Sequence, residues 1–161
     1  MIKYPYSKPE ILKEDVEGVL KVLNLGYLTQ GKKIIAFENY LKKIFKAQYA
    51  VVCNSGTAAL HLVYSSLGLR KGSALLTSPI TFLSTANAAV MCGASVVFSD
   101  VDPNTGLMTP ETVENALKNT NMNIKVITVV HLGGRVCDMA GIAKVAKRYN
   151  CLVVEDACHA P

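Results

Sequence analysis

A polar stretch, Asn54-Ser55-Gly56-Thr57, separates an apolar run from a stretch rich in good helix formers. The apolar run over residues 50–53 is short and partly β-branched and therefore predicts a buried strand, whereas Thr57 onward predicts a helix. A strand that enters a helix through such a turn leaves free backbone N–H groups at the positive end of the helix dipole. With the nearby hydroxyls, and a glycine that lets a ligand approach the backbone, these groups favour a phosphate site. The alternative is an ordinary capped helix start.

Two adjacent acids, Glu155 and Asp156, directly follow four apolar residues, and His159 comes three residues after the second acid. Because side chains alternate across a strand, the two acids point to opposite faces, so one can enter a site while the other pairs elsewhere. A carboxylate at the base of a pocket could bind a cationic ring nitrogen and hold it protonated, and His159 could meet the same ligand. The alternative is a helix-capping acid with an incidental neighbour.

The remaining candidates are an aromatic residue and two histidines. Phe82, beside Thr81 at the carboxyl end of a predicted strand, could offer its face to a planar ring or could be a core aromatic. His61 lies on a helix that is apolar nearly all round, which favours a hydrogen-bonded core role, while for His131 both a core role and a ligand contact stay open. Without a Gly-x-Gly-x-x-Gly stretch, a Walker loop or a Gly-x-Ser-x-Gly elbow, dinucleotide, nucleoside triphosphate and serine hydrolase sites have no support.

The elements that must position these residues follow from the hydrophobic periodicity. Helices are predicted over residues 9–24 and 34–45, followed by strands over 50–53, 72–77, 94–98, 125–130 and 151–154, with helices between them that include 82–91 and 139–149. Nearly continuous apolar strands alternating with helices predict an α/β fold, with a mostly parallel sheet that carries helices on both faces. Ligands of such sheets bind beyond the carboxyl ends of the strands, where the polar clusters fall. The chain stops just past a strand, so we expect an incomplete domain.

The amino-acid composition argues against several classes of protein, including nucleic-acid-binding and membrane-anchored ones. Half of the residues are hydrophobic and 18% are charged, which suffices for a sizeable core. The net charge of +5 is spread over several helices, so we expect no nucleic-acid partner. No apolar run is long enough to span a bilayer and the first residues lack a signal core, so we expect a cytoplasmic protein without a membrane anchor. The five cysteines are scattered, which argues against disulfides and metal sites; we expect four of them to be small buried hydrophobes, namely Cys53, Cys92, Cys151 and Cys158.

Taken together, these segments resemble the DegT-type (DegT/DnrJ/StrS) sugar aminotransferases, pyridoxal-phosphate enzymes of fold type I. The resemblance covers essentially the whole chain and rests on motifs in a fixed order: Leu28-Thr29-Gln30-Gly31 with Phe37-Glu38, Asn54-Ser55-Gly56-Thr57-Ala58-Ala59-Leu60, Ser78-Pro79-Ile80-Thr81-Phe82, Thr85-Ala86-Asn87-Ala88, Asp100-Val101-Asp102-Pro103 and Glu155-Asp156-Ala157-Cys158-His159-Ala160. The opening Tyr4-Pro5-Tyr6-Ser7 and the Leu28 motif look most like transaminases acting on UDP-linked 4-keto-6-deoxy sugars, as in pseudaminic acid synthesis.

This resemblance implies pyridoxal 5′-phosphate as the cofactor and gives each candidate a role. It implies that Ser55, Gly56 and Thr57 bind the cofactor phosphate and that Phe82 stacks on the pyridine ring. It also implies two catalytic residues: Asp156 pairs with the ring nitrogen, and His159 lies near the phenolic oxygen. Three further residues would contact the nucleotide sugar, namely Tyr6, Tyr27 and Thr29.

The resemblance also implies a domain organisation. Residues 1–47 would form an N-terminal helical segment with a substrate loop, and residues 48–161 would form part of the cofactor-binding large domain, without the small C-terminal domain. The family's Schiff-base lysine lies downstream of the Glu-Asp motif, and no lysine here stands in that context, so we expect this piece alone to be inactive. For the intact protein we expect a homodimer that uses a nucleotide-linked keto-deoxy sugar and glutamate as amino donor. The alternatives are a non-catalytic binding or interaction module, or a sugar dehydratase that uses the same cofactor.

Overall fold

The computed structural model describes residues 8–160, which divide into two compact units. The first unit ends at Val52 and the second begins at Cys53. Of the residues singled out above, Tyr6 lies outside the described part. The domain boundary expected after residue 47 stays a prediction.

The first unit contains two helices, α1 (Lys13–Leu25) and α2 (Lys32–Ile44). The α1 helix begins four residues later than the predicted residue 9, because the Asp15 carboxylate accepts the backbone N–H of Leu12 at 2.9 Å and so fixes the first turn there. It ends at Gly26, which adopts the left-handed conformation with φ at 72°.

The second unit is a parallel four-stranded sheet with intervening helices. Its elements are, in chain order, α3 (Gly56–Ser66), β1 (Ala74–Thr77), α4 (Ser84–Met91), β2 (Ser95–Phe98), α5 (Pro110–Lys118), β3 (Ile124–Val130), a 3-10 turn (Leu132–Gly134), α6 (Met139–Arg148) and β4 (Leu152–Asp156). The strands lie in the order β2-β1-β3-β4, and all three neighbouring pairs are parallel. The structure thus confirms the α/β class and the parallel sheet.

Helices cover both faces of this sheet, as the apolar strands predict. Leu75 and Val126 pack with α3 and α4 on one face, whereas their chain neighbours Leu76 and Ile127 pack with α5 and α6 on the other. Consecutive strand residues alternate between faces, so a strand buried on both sides must be apolar at nearly every position.

Residues 50–53, predicted as the first strand, do not form one. No strand among residues 8–160 pairs with this run, Val51 is 81% exposed, and the backbone N–H of Val52 donates to the Glu38 carboxylate at 3.1 Å. An apolar β-branched run becomes a strand only where a neighbouring backbone offers a ladder of hydrogen bonds. The residue types of this run indicate an extended backbone, but they do not indicate whether another strand lies beside it.

Two smaller expectations are also wrong. The helix predicted over residues 82–91 begins at Ser84, for a reason given with the site below. Of the four cysteines expected to be buried, Cys158 is exposed and the other three are half-buried, while the buried one is Cys137. No helix between residues 8 and 160 has the length and apolar composition needed to cross a membrane.

Candidate functional site

The first part of the site is the start of α3. Ser55 caps this helix: its Oγ accepts the N–H of Ala58 at 3.2 Å, and its carbonyl accepts the N–H of Ala59 at 3.0 Å. Among the described residues, no acceptor bonds to the N–H groups of Gly56 and Thr57, and the first turn contains no acidic residue. Two backbone donors thus remain at the positive end of the dipole, where an anion is stabilised.

Gly56 brings this turn against the loop that follows β4. A Cβ atom at position 56 would lie 3.2 Å from the Cys158 Sγ, closer than side chains normally approach. A side chain at this position would therefore make Cys158 shift by a few tenths of an ångström, whereas the backbone angles at Gly56 do not call for glycine. Two sequence motifs about a hundred residues apart are in contact here, so the predicted phosphate turn lies beside the loop that follows the two acids.

Asp156 ends β4 as a buried carboxylate, 8% exposed. Its Oδ2 accepts the Thr85 hydroxyl at 2.8 Å and its Oδ1 accepts the N–H of Cys158 at 3.3 Å. Since the Thr85 proton is directed at the carboxylate, the Thr81 hydroxyl, 2.7 Å away, must donate to Thr85. This use of Thr81 explains the late start of α4: its hydroxyl serves Thr85 instead of capping a helix that begins at residue 82.

Behind Thr85 lies a fully buried layer of hydroxyl groups. The Tyr64 hydroxyl donates towards the Thr85 carbonyl oxygen at 3.0 Å and towards the Thr128 Oγ1 at 2.9 Å, and the Thr77 hydroxyl donates to the Thr128 carbonyl oxygen at 2.9 Å. Burial raises the pKa of Tyr64 to about 12, so its hydroxyl remains a donor. Asp156 is therefore supported from within the core by α3, α4 and β3.

Cys158 adds a second neutral group beside this carboxylate. Its hydrogen bond to the Asp156 side chain raises the pKa of the thiol to about 11, with burial and the negative charge of Asp156 acting in the same direction. The thiol consequently stays protonated at neutral pH.

The neighbouring acid, Glu155, points to a different partner, as strand alternation predicts. Its Oε2 lies 2.8 Å from Nε2 of His131, a histidine that is only 3% exposed. The other ring nitrogen, Nδ1, accepts the N–H of Cys137 at 3.4 Å. His131 is thus a hydrogen-bonded buried residue, which decides between the two roles that the sequence left open.

The other candidates are exposed side chains. Phe82 is 70% exposed, so it is not a core aromatic, and it directly precedes the turn that carries Thr85. His159 is exposed, and its Nδ1 accepts the N–H of Gly133 at 3.3 Å. Tyr27 and Thr29 are exposed on the first unit, between α1 and α2.

Sequence reasoning gave no role in the site to Thr81, Thr85, Tyr64 or Thr128, although Thr81 and Thr85 stand in two of the motifs that carry the resemblance. Each threonine is an ordinary residue for its own element, whether turn, helix or strand, so its type alone indicates no function. Tyr64 likewise fits the apolar side of α3. A regular series of hydroxyls on elements that converge on Asp156 is visible only once the sheet order is known.

Comparison with known proteins identifies the family of this chain. A family model described as the DegT/DnrJ/EryC1/StrS aminotransferase family matches residues 9–161. The chain is 41% identical over 156 residues to the spore coat polysaccharide biosynthesis protein SpsC of Bacillus subtilis (strain 168), covering 97% of this chain and 39% of SpsC. It is 39% identical over 155 residues to the UDP-4-amino-4,6-dideoxy-N-acetyl-beta-L-altrosamine transaminase of Campylobacter jejuni (serotype O:23/36, strain 81-176), covering 96% of this chain and 41% of that protein.

Solved structures agree with these relatives. The aminotransferase from Psychrobacter cryohalolentis superimposes with a TM-score of 0.90 at 33% identity, covering 98% of this chain and 40% of that one. NtdA from Bacillus subtilis, solved with the bound cofactor PMP, gives a TM-score of 0.85 at 30% identity, covering 99% of this chain and 39% of that one. The chain therefore spans about two fifths of the length of the relatives it matches.

Proposed function

Because the chain belongs to the DegT/DnrJ/EryC1/StrS aminotransferase family, we propose that it carries the cofactor-binding part of a pyridoxal-phosphate-dependent aminotransferase. Its proposed substrate is a nucleotide-linked keto-deoxy sugar, a class suggested by the name of the Campylobacter relative. The observation that carries the proposal is the contact of Gly56 with Cys158, because it brings a helix start with two unused N–H donors next to the loop that follows a buried carboxylate.

The side chains and backbone groups present fit pyridoxal phosphate in both charge and donor type. The N–H groups of Gly56 and Thr57, with the hydroxyls of Ser55 and Thr57, would bind the phosphate. Ser55 Oγ already accepts one hydrogen bond from Ala58 and keeps its own proton to donate. When bound, the cofactor supplies an electron-accepting ring and a carbon that carries the amino group between two substrates.

Asp156 would hold a proton on the ring nitrogen. Thr85 and Cys158 donate to its two oxygens from the protein side, which fixes the orientation of the carboxylate while lone pairs remain for a third donor. A carboxylate next to a ring nitrogen favours the protonated, cationic form of the ring. The buried position of Asp156 strengthens that pairing because water screens it little.

The exposed candidate residues would complete the site. The exposed face of Phe82 would stack on the ring, and His159 would lie near the phenolic oxygen. Tyr6, Tyr27 and Thr29 would contact the nucleotide sugar, glutamate would be the amino donor, and the complete enzyme would be a homodimer. Because the chain spans about two fifths of its relatives, turnover is expected of a longer protein, while cofactor binding is testable on this chain.

The proposal is tested with pyridoxamine 5′-phosphate, whose amine, unlike an aldehyde, does not react with surface lysines. We expect calorimetry to show one binding site per chain, and Asp156→Asn to weaken binding about 10- to 100-fold, the loss of one charge-assisted hydrogen bond. Pyridoxamine without phosphate should bind far more weakly, because it leaves the start of α3 unused.

A matched control is Asp138→Asn. The Asp138 carboxylate caps α6 by accepting the N–H of Gly141 at 2.9 Å, and Asn caps equally well, so this variant should bind as the original chain does. Equal affinity of the original chain and Asp156→Asn, with both folded by circular dichroism, would contradict the proposal.

A further inference from the structure

We propose that the glycine turn Leu132-Gly133-Gly134, anchored by His131, is a positioning element that fixes the tautomer of His159. In this assignment neutral His159 keeps its proton on Nε2 and presents an N–H donor on the side of the ring away from the turn. The inference deepens the proposed function, on which its catalytic meaning rests, but the tautomer itself is a property of this chain without any ligand.

The key contact is the hydrogen bond from Gly133. Its backbone N–H donates to His159 Nδ1 at 3.3 Å, and a backbone amide can only donate. A neutral imidazole carries one proton, so when Nδ1 accepts, the proton must reside on Nε2. The orientation of one peptide bond therefore determines which ring nitrogen of His159 is the donor.

His131, which directly precedes the turn, fixes the position of that peptide bond through its own hydrogen bonds. Nδ1 of His131 accepts the N–H of Cys137, so its Nε2 carries the proton and donates to Glu155. The backbone N–H of His131 also donates to the Asp156 carbonyl oxygen at 3.2 Å. One buried residue thus connects the end of β3, the end of β4 and the segment before α6.

Gly134 packs directly against the residue that the turn positions. A Cβ atom at position 134 would lie 3.2 Å from the His159 carbonyl oxygen, and the backbone φ of 83° is one that other residues rarely adopt. Gly133 also has a positive φ, 62°, which turns its N–H towards the ring. The two glycines thus serve different purposes: Gly133 directs its N–H at the ring of His159, and Gly134 leaves room for the His159 carbonyl oxygen.

The arrangement suits the proposed reaction. A phenolic oxygen that carries negative charge needs a donor beside it, and the Nε2–H of His159 would supply one without a net charge of its own. The opposite tautomer would present a lone pair to that oxygen and repel it. We therefore assign the Gly133 turn to positioning and His159 to the contact itself.

The test is nitrogen-15 NMR of histidine-labelled chain in alkaline buffer. The chain has three histidines, so His61→Gln and His159→Gln assign the signals by elimination. For His159 we expect an Nδ1 shift typical of an unprotonated nitrogen and an Nε2 shift typical of a protonated one. The reverse pattern, or two averaged shifts, would overturn the inference outright.

Two pairs of variants separate positioning from general stability. Gly134→Ala should move both His159 shifts towards the averaged values, whereas Gly72→Ala should not, although Gly72 has a similar φ of 88° and open space around its Cβ position. Glu155→Leu should shift His159 in the same direction because His131 loses its acceptor. Glu155→Gln keeps an acceptor and should restore the original pattern.

If Gly134→Ala and Gly72→Ala have the same effect on the His159 shifts, the turn does not position His159. These outcomes are independent of cofactor affinity. If His159 is the Nε2–H tautomer but the chain fails to bind pyridoxamine phosphate, this inference stands and the proposed function is rejected. If the chain binds pyridoxamine phosphate but His159 is not that tautomer, the proposed function stands and this inference is rejected.

Discussion

The α3 and α5 helices begin with the same cap but differ in what they do with it. In each, a hydroxyl oxygen of the capping residue accepts the third backbone N–H of the helix at 3.2 Å, Ser55 from Ala58 in α3 and Thr109 from Thr112 in α5. The first position of α5 is Pro110, which has no N–H, and Glu111 follows it. The first turn of α3 has neither a proline nor an acid.

The difference separates a reciprocally capped helix start from one that we propose binds a ligand. In α5 the positive end of the dipole is neutralised by Glu111, and the Thr112 hydroxyl accepts the backbone N–H of Thr109, which completes a reciprocal cap. In α3 two N–H groups and the dipole remain for a ligand. A cap by itself therefore says little about function; the unused donors beside it are informative.

The largest effect is expected when the acid of α5 is transferred to α3. Thr57→Glu should weaken pyridoxamine phosphate binding about 100-fold or more, roughly 2.7 kcal/mol, because a carboxylate would stand where the phosphate binds. The helix itself should become slightly more stable, by about 0.3–1 kcal/mol, since the acid complements the dipole.

Glu111→Gln is the matched change in α5. It should lower the free energy of unfolding by a similar few tenths of a kcal/mol and leave binding unchanged. Calorimetric titration and urea unfolding measure the two quantities. If Thr57→Glu binds as well as the original chain, the start of α3 is structural, like that of α5.

A smaller effect is expected from the first helical position. Gly56→Ala should weaken binding about 10-fold, because its Cβ would press on Cys158 and displace the loop after Asp156, even though alanine favours a helix by about 0.5–1 kcal/mol. Adding Cys158→Ala should recover most of the loss. The control is Pro110→Ala, which gives α5 a new N–H and should leave binding unchanged. If the effects of Gly56→Ala and Cys158→Ala on binding are simply additive in a double-mutant cycle, the contact between these two residues has no role in binding.

The smallest effect concerns the buried sides of the two helices. The α5 helix buries only apolar side chains, including Leu117, whereas α3 buries the Tyr64 hydroxyl. Burial raises the pKa of Tyr64 from 10.0 to about 12, so the unfolded chain ionises first. The stability that Tyr64 contributes is therefore complete below pH 10 and is lost as the pH rises from 10 to about 12.

We expect Tyr64→Phe to cost about 1 kcal/mol at neutral pH, through the lost hydrogen bonds, and to remove part of the loss of stability above pH 10. Leu117→Val should cost about the same by removing one buried methylene, with an unchanged pH profile. Urea unfolding at a series of pH values compares the two. Identical alkaline profiles for the original chain and Tyr64→Phe would show that the hydroxyl is not buried as described.

The contrast between the helices also shows how far the sequence predicts this molecule. Ser55, Pro110 and Asp138 are local signals, so the starts of α3, α5 and α6 follow from neighbouring residues alone. The strand expected over residues 50–53 required a partner elsewhere in the chain, which no local pattern supplies. Phe82 is likewise a local candidate whose exposure only the fold reveals.

The site shows the same limit. The spacing of Glu155 and Asp156 predicts that they face different partners, and both partners were found. The identity of those partners, Thr85 for one acid and His131 for the other, depends on which helix and which loop the sheet order brings alongside β4. Hydrogen bonds between residues 71 and 24 positions apart are set by topology, and single-residue preferences carry no signal for them.

The central claim is that the start of α3 binds the cofactor phosphate, and the backbone amide signals of the two helix starts test it most directly. On addition of pyridoxamine 5′-phosphate, the amide proton signals of Gly56 and Thr57 should move strongly downfield, as expected for N–H groups that acquire an anionic acceptor, while those of Glu111 and Thr112 in α5 should stay in place. Unchanged Gly56 and Thr57 signals at saturating ligand, or equal shifts at both helices, would contradict the account.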